Sequence, residues 1–151
     1  MGNTKQVSIR WKEGKEFEAT TESGHMVTTD ASEVYGGKNH GPSPMELLLV
    51  CLGNCTGISV IDILLKKRQM VTGFELRVEA VSSDTHPKVY TDIEIIYILY
   101  GDAVSPVAVE DAIRLSKEKY CGISEMLGKS ARLKTRFEIN PPRVDHDDNR
   151  A

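Results

Sequence analysis

Three cysteines, Cys51, Cys55 and Cys121, are the residues best suited to chemistry in this 151-residue chain. Cys51 and Cys55 stand four apart inside a long apolar run, hence on one face of a helix. For Cys51 the surroundings predict a small buried apolar side chain. Cys55 sits between Gly53-Asn54 and Thr56-Gly57, small residues that thin the helix surface and let another backbone or a ligand approach. A structural thiol and a reactive one both fit there. Cys121 follows Tyr120 at the predicted start of a short helix, where unpaired N–H groups and the positive dipole end stabilise a thiolate. As a dithiol, Cys55 and Cys121 would let one sulfur attack an oxidant and the other resolve the sulfenic acid. No spacing rule brings the two together.

Rival chemistries find less support. Cys51 and Cys55 lack the two-residue spacing of a zinc knuckle, and His25, His40, His86 and His146 form no paired pattern, so neither metal nor cofactor is expected. Gly36-Gly37-Lys38 lacks the full phosphate-loop frame, and no constellation supports seryl or carboxylate catalysis. The 19 basic and 22 acidic residues leave a net charge of -3, and no basic run carries interleaved aromatics, which argues against nucleic acid. Hydrophobic residues at 40% and charged residues at 27% describe a globular protein. Met1 to Lys5 has no signal-peptide apolar segment, and the cysteine count is odd. A cytoplasmic protein with free thiols is therefore expected.

The element that must position these thiols is one long helix. Ser43 is its predicted N-cap, Pro44 suits the first helical position, and Glu46 completes a capping box. From Leu47 to Leu65 apolar residues cover every side, which predicts a helix buried all round. That length would also cross a bilayer. Asn54 and Asp62 would then need partners in hydrocarbon, and the amphipathic remainder needs a core, so no membrane is expected. Lys66-Lys67-Arg68 reads as cations at the helix's C-terminal end.

Alternation predicts strands over residues 7–11, 16–20 and 25–29, then a loop over 30–41. Two strands from Gly73 and Val89, a helix opened by Ser105-Pro106, a short helix from Cys121 ending at Gly128, and a last strand over 132–139 complete the order. The expected fold is α+β with antiparallel pairing, one domain over residues 1–151, and a flexible tail over 140–151. One chain offers too few surfaces for an all-round apolar helix, so a homodimer is expected.

Pro44-Met45-Glu46-Leu47-Leu48 through Cys55, followed by Lys119-Tyr120-Cys121-Gly122-Ile123-Ser124, resembles the OsmC/Ohr family over nearly the whole chain. Ser43-Pro44-Met45-Glu46 and the segment Leu115 to Cys121 are most similar to its YhfA-like branch. The resemblance implies an OsmC-like fold, with antiparallel sheets wrapped around two central helices in an intertwined homodimer and an active site at the interface. It implies thiol peroxidase chemistry on small organic hydroperoxides in a stress response. Cys55 would be peroxidatic and Cys121 resolving, with an external dithiol as reductant. Peroxidases of the family carry a Glu directly after the Pro, where this chain has Met45, with Glu46 one place later and about 100° around the helix. They also carry an Arg on the first hairpin, where this chain offers Lys12, Lys15 and the earlier Arg10. Glu46 and Lys15 stand as the candidate carboxylate and cation. The alternative reading keeps the fold and makes the protein a redox-sensing or ligand-binding stress protein with little turnover.

Overall fold

The computed structural model describes residues 2–143. The described residues divide into two compact units, one up to Val50 and one from Cys51 on, with the boundary inside the long helix α1, Pro44–Lys66.

The first unit is a three-stranded antiparallel sheet in the order β1-β2-β3: β1 Val7–Glu13, β2 Glu16–Thr21 and β3 Met26–Thr29. Gly14, at φ +53°, supplies the left-handed residue of the tight β1–β2 turn, and the Trp11 indole N–H donates to its carbonyl at 3.1 Å. Trp11 lies opposite Phe17, Ile9 opposite Ala19 and Val7 opposite Thr21, so β1's apolar residues share one face. Val7, Ile9 and Trp11 are each more than half exposed. The loop after β3 contains one 3-10 turn, Glu33–Tyr35, and leads into the predicted cap. There Glu46 Oε2 accepts from the Ser43 N–H and hydroxyl, both at 2.8 Å, while the Glu46 N–H donates back to Ser43 Oγ at 3.3 Å.

In the second unit, β4 Gly73–Ser82 pairs antiparallel with β5 Tyr90–Tyr100, and β6 Arg132–Ile139 lies on the other side of β5. β6 runs parallel to β5, a departure from the expected antiparallel pairing. The reason lies between them. A parallel neighbour needs a long crossover, and the chain provides α2 Pro106–Leu115, a π-helical turn Ser116–Tyr120 and α3 Gly122–Leu127. The core holds Leu52, Val60 and Leu64 of α1, Ile93, Ile95, Tyr97 and Leu99 of β5, and Val109 and Ala112 of α2. Gly53 and Gly57 let α1 lie close to β4: a Cβ at Gly53 would stand 3.1 Å from Val78 and one at Gly57 3.0 Å from Leu76. α1 ends with Arg68 in the left-handed region, the Gln69 N–H reaching Leu64 O and the Arg68 N–H reaching Leu65 O, both at 2.9 Å. Lys67 then pairs with Asp111 of α2 at 2.6 Å.

Within one chain α1 is buried along Leu52, Gly53, Thr56, Gly57, Val60 and Leu64 only, and Val50, Cys51, Ile58 and Leu65 are exposed. Within one chain Cys51 points away from the β4 side that Leu52 and Gly53 occupy, so the packing expected of it would have to come from a partner subunit. The helix is long and apolar enough to cross a bilayer, with 33% of that stretch buried inside the protein. The expected loose tail starts too early at 140. Asn140 is pinned, its side chain donating to Gly101 O at 2.8 Å and accepting from the Gly101 N–H at 3.0 Å. The rest of that expectation, from residue 144 on, falls outside the described residues.

Candidate functional site

Cys55 lies mid-helix in α1 and is half-buried, while Cys121 is 2% exposed and caps α3. The fold brings them together. The Cys121 thiol lies near enough to Cys55 to act on its ionisation, as do the backbone N–H groups of Ile123 and Gly122. Cys121 occupies this position because of the π-turn before it, which closes with the Cys121 N–H donating to Ser116 O at 2.8 Å. One extra residue in the turn re-aims the next segment of chain by about 100° relative to a continued α-helix. As N-cap, Cys121 Sγ accepts from the Ser124 hydroxyl at 3.0 Å and the Ser124 N–H at 3.4 Å.

Burial pushes the Cys55 thiol above its ordinary pKa, and the neighbouring Cys121 thiol adds to the rise. The Ile123 and Gly122 N–H groups pull the other way without offsetting it. Of the pair, Cys55 is the accessible sulfur and Cys121 the sheltered one.

Glu46 and Lys15 lie in the first unit. Glu46 is engaged by Ser43, whose N–H and then hydroxyl hold its carboxyl below the usual range against a small opposing effect of burial. The Lys15 ammonium donates to Tyr35 O. Both line an open cleft of about 560 Å³ together with Phe17, Asp30 and Tyr35. Lys12 pairs with Glu18 at 3.5 Å, and Arg10 is exposed opposite Glu18 in the sheet.

Sequence spacing gave His40 no partner, but the fold brings it to Glu16 and Asp30, with one ligand-type atom of each within 4.8 Å of the others. The Asp30 carboxylate there accepts from the Ala31, Lys38 and His40 N–H groups at 2.7, 3.0 and 3.2 Å. Burial raises its pKa, but those three donors outweigh it and hold the carboxyl below the usual range. His40 Nδ1 lies 2.7 Å from Glu16 Oε2. Asp30 thus organises the loop that leads into α1.

Sequence reasoning missed four hydroxyls beside the thiols. Thr56 Oγ1 lies 2.7 Å from the Tyr97 hydroxyl and 3.0 Å from Ser116 Oγ, and Ser59 Oγ contacts Ser116 and donates toward the Cys55 and Thr56 carbonyls at 3.3 and 3.0 Å. The signal available was two hydroxyls three apart, Thr56 and Ser59, inside an otherwise apolar helix. Ser59 also lines a cleft of about 530 Å³ with Ile58, Ile63, Leu115 and Tyr120.

An α+β fold carrying a half-buried cysteine on a central helix, met by a second cysteine from a crossover turn, defines a class, and the chain belongs to the OsmC-like family. The family described as "OsmC-like protein" matches residues 37–136. The chain is 34% identical over 134 residues to Protein YhfA of Escherichia coli (strain K12), covering 89% of this chain and 97% of that relative. A hypothetical protein from Aquifex aeolicus VF5 is 36% identical, with a TM-score of 0.80 over 91% of this chain and 97% of that one. The organic hydroperoxide resistance protein OhrB of Bacillus subtilis shares the fold at 13% identity, with a TM-score of 0.61 over 90% and 98% of the two chains.

Proposed function

We propose that the protein is a cytoplasmic, stress-related thiol-dependent peroxidase of organic hydroperoxides that works through Cys55 and Cys121. The observation that carries this reading is that the fold brings Cys121, at the start of α3, near enough to Cys55 of α1 to act on its ionisation, together with the Ile123 and Gly122 N–H groups. Cys55 attacks one peroxide oxygen and breaks the O–O bond, giving a Cys55 sulfenic acid and releasing the alcohol. The Cys121 thiol then displaces water from the sulfenic acid to close a disulfide. An external dithiol supplies two electrons and two protons to restore both thiols, leaving as its own disulfide. Glu46 and Lys15 are the candidate carboxylate and cation of this reading. Membership of the OsmC-like family and the fold shared with hydroperoxide resistance proteins support it.

The working form in this reading is a homodimer with its active site at the interface. The exposed Val7, Ile9 and Trp11 of the first unit and Ile58 and Leu65 of the second support it, since apolar side chains grouped on a sheet face or helix stripe are best buried against a partner.

The test is consumption of cumene hydroperoxide by the purified protein with dithiothreitol. Wild type is expected to turn over, and Cys55→Ser to fall to the uncatalysed rate. A Cys55→Ser protein as fast as wild type would end the reading. One observation favours a second reading, a redox sensor with little turnover: burial and Cys121 both raise the Cys55 pKa, which leaves less thiolate to attack a peroxide. Peroxide-dependent disulfide formation with negligible turnover would select it.

A further inference from the structure

We propose that the buried hydroxyl chain Tyr97–Thr56–Ser116–Ser59 is the positioning element of the dithiol, holding α1 and the π-turn so that Cys121 meets Cys55 at disulfide-forming separation. The inference rests on the dithiol reading above and concerns how the pair is held.

The chain joins the two elements that carry the sulfurs. Thr56 is the neighbour of Cys55, and Ser59 sits one turn on, its hydroxyl at the Cys55 carbonyl. Ser116 opens the π-turn, and its carbonyl takes the Cys121 N–H at 2.8 Å, so the residue that bonds Thr56 through its side chain bonds Cys121 through its backbone. Tyr97, on β5, anchors the chain to the sheet through the 2.7 Å contact with Thr56.

Proton counting gives the chain a direction. The backbone carbonyls only accept, so Ser59 spends its proton on them. Ser116 then donates to Ser59, Thr56 to Ser116, and Tyr97 to Thr56. Tyr97 is left with its phenolic oxygen free to accept, and it feels the Cys121 charge. Thr56, Tyr97 and Ser116 are each at most 2% exposed. Apolar side chains would fill that space without the cost of burying hydroxyls, whereas a fully satisfied polar chain specifies one arrangement of the helix against the turn. What that arrangement sets is the effective concentration of one thiol at the other.

The experiment measures that concentration without peroxide. In a Cys51→Ser background, the protein is equilibrated in glutathione redox buffers, and the Cys55–Cys121 disulfide is quantified by alkylation and mass spectrometry. Ser116→Ala removes the two links to Thr56 and Ser59, Tyr97→Phe the one to Thr56, and Ser59→Ala the one to Ser116 at the half-buried end of the chain, where folding is least at risk. Each is expected to lower the effective concentration, Ser116→Ala by about tenfold, which raises the disulfide's reduction potential by about 30 mV. Ile96→Val trims a buried side chain of the same strand on the opposite sheet face, and is expected to leave the equilibrium within about twofold. Hydroxyl variants that hold the wild-type equilibrium, an Ile96→Val shift as large as theirs, or a wild-type pair that forms no disulfide would each overturn the inference. A wild-type protein that forms the disulfide, with the equilibrium shifted in the hydroxyl variants, but that turns over no peroxide would overturn the peroxidase reading and leave this one standing.

Discussion

The Glu46 carboxylate closes on Ser43, accepting its N–H and its hydroxyl at 2.8 Å each, so the acid of the α1 cap is bound at the first turn of the helix that carries Cys55. Replacing Ser43 by Ala or Glu46 by Gln is expected to cost about 1 kcal/mol of stability in urea denaturation. The pH dependence has a definite sign. The Glu46 pKa is lowered by folding, so its contribution is complete above the ordinary carboxylate value and fades as pH falls through the lowered one. The stability difference between wild type and Glu46→Gln should therefore shrink below about pH 4.5. Turnover separates cap from chemistry: per folded molecule it should fall in Glu46→Gln and hold in Ser43→Ala.

Cys55 should react as a thiol whose ionisation is delayed. Burial first, and Cys121 second, raise its pKa from 9.0, so iodoacetamide labelling in a Cys51→Ser background should climb with pH through a midpoint above that value. Cys121→Ala removes one raising influence and keeps the Gly122 and Ile123 N–H groups. Its midpoint should fall below that of the parent. An unchanged or higher midpoint would mean that Cys121 does not act on Cys55 in solution.

Much of this architecture was legible in local sequence chemistry. The Ser43/Glu46 cap, the Gly14 turn, the alternation of β4 and the Cys121 cap are each decided within a few residues, and the structure places them where the pattern does. What escaped depends on residues far apart in the chain. The parallel pairing of β6 is set by how the crossover packs, and Tyr97 sits in an apolar run where nothing marks its hydroxyl as reaching Thr56. The exposure of Cys51 within one chain was not legible either, because an all-round apolar helix does not reveal which stripe its own sheet covers. The exposed stripe is the same fact seen from the other side.

Tyr97 should ionise late. Burial pushes its phenol up to about 12, with the Thr56 hydrogen bond opposing and the Cys121 charge adding to the rise. An ultraviolet titration should show a late phase near pH 12 that disappears in Tyr97→Phe. Thr56→Val, which keeps the volume and removes the hydroxyl between Tyr97 and Ser116, is expected to cost about 1–3 kcal/mol.

The close approach of α1 to β4 depends on two glycines. A Cβ at Gly57 would meet Leu76 at 3.0 Å and one at Gly53 would meet Val78 at 3.1 Å, both side-chain ends that can give a little. Gly57→Ala gains helix propensity of about 1 kcal/mol, and Leu76 has only to shift by a few tenths of an ångström, so a near-neutral result is expected. Gly57→Val cannot be absorbed in that way and should cost about 1–3 kcal/mol. Equal stabilities for the two variants would show that the helix stands further from the sheet in solution.

Ile58 and Leu65 are seven apart on α1, 70% and 59% exposed, with Cys51 seven residues before Ile58, so they form one apolar stripe that nothing in the described chain covers. A dimer would bury that stripe, and a charge within it would then be desolvated without a partner. Ile58→Asp is expected to convert a sedimenting dimer into a folded monomer at micromolar concentration. Val107→Asp makes the matched control, since Val107 is 75% exposed in the first turn of α2, where an acid complements the helix dipole, and that variant should remain dimeric. A wild-type protein that sediments as a folded monomer would end the dimer reading, and the stripe would then need a different cover.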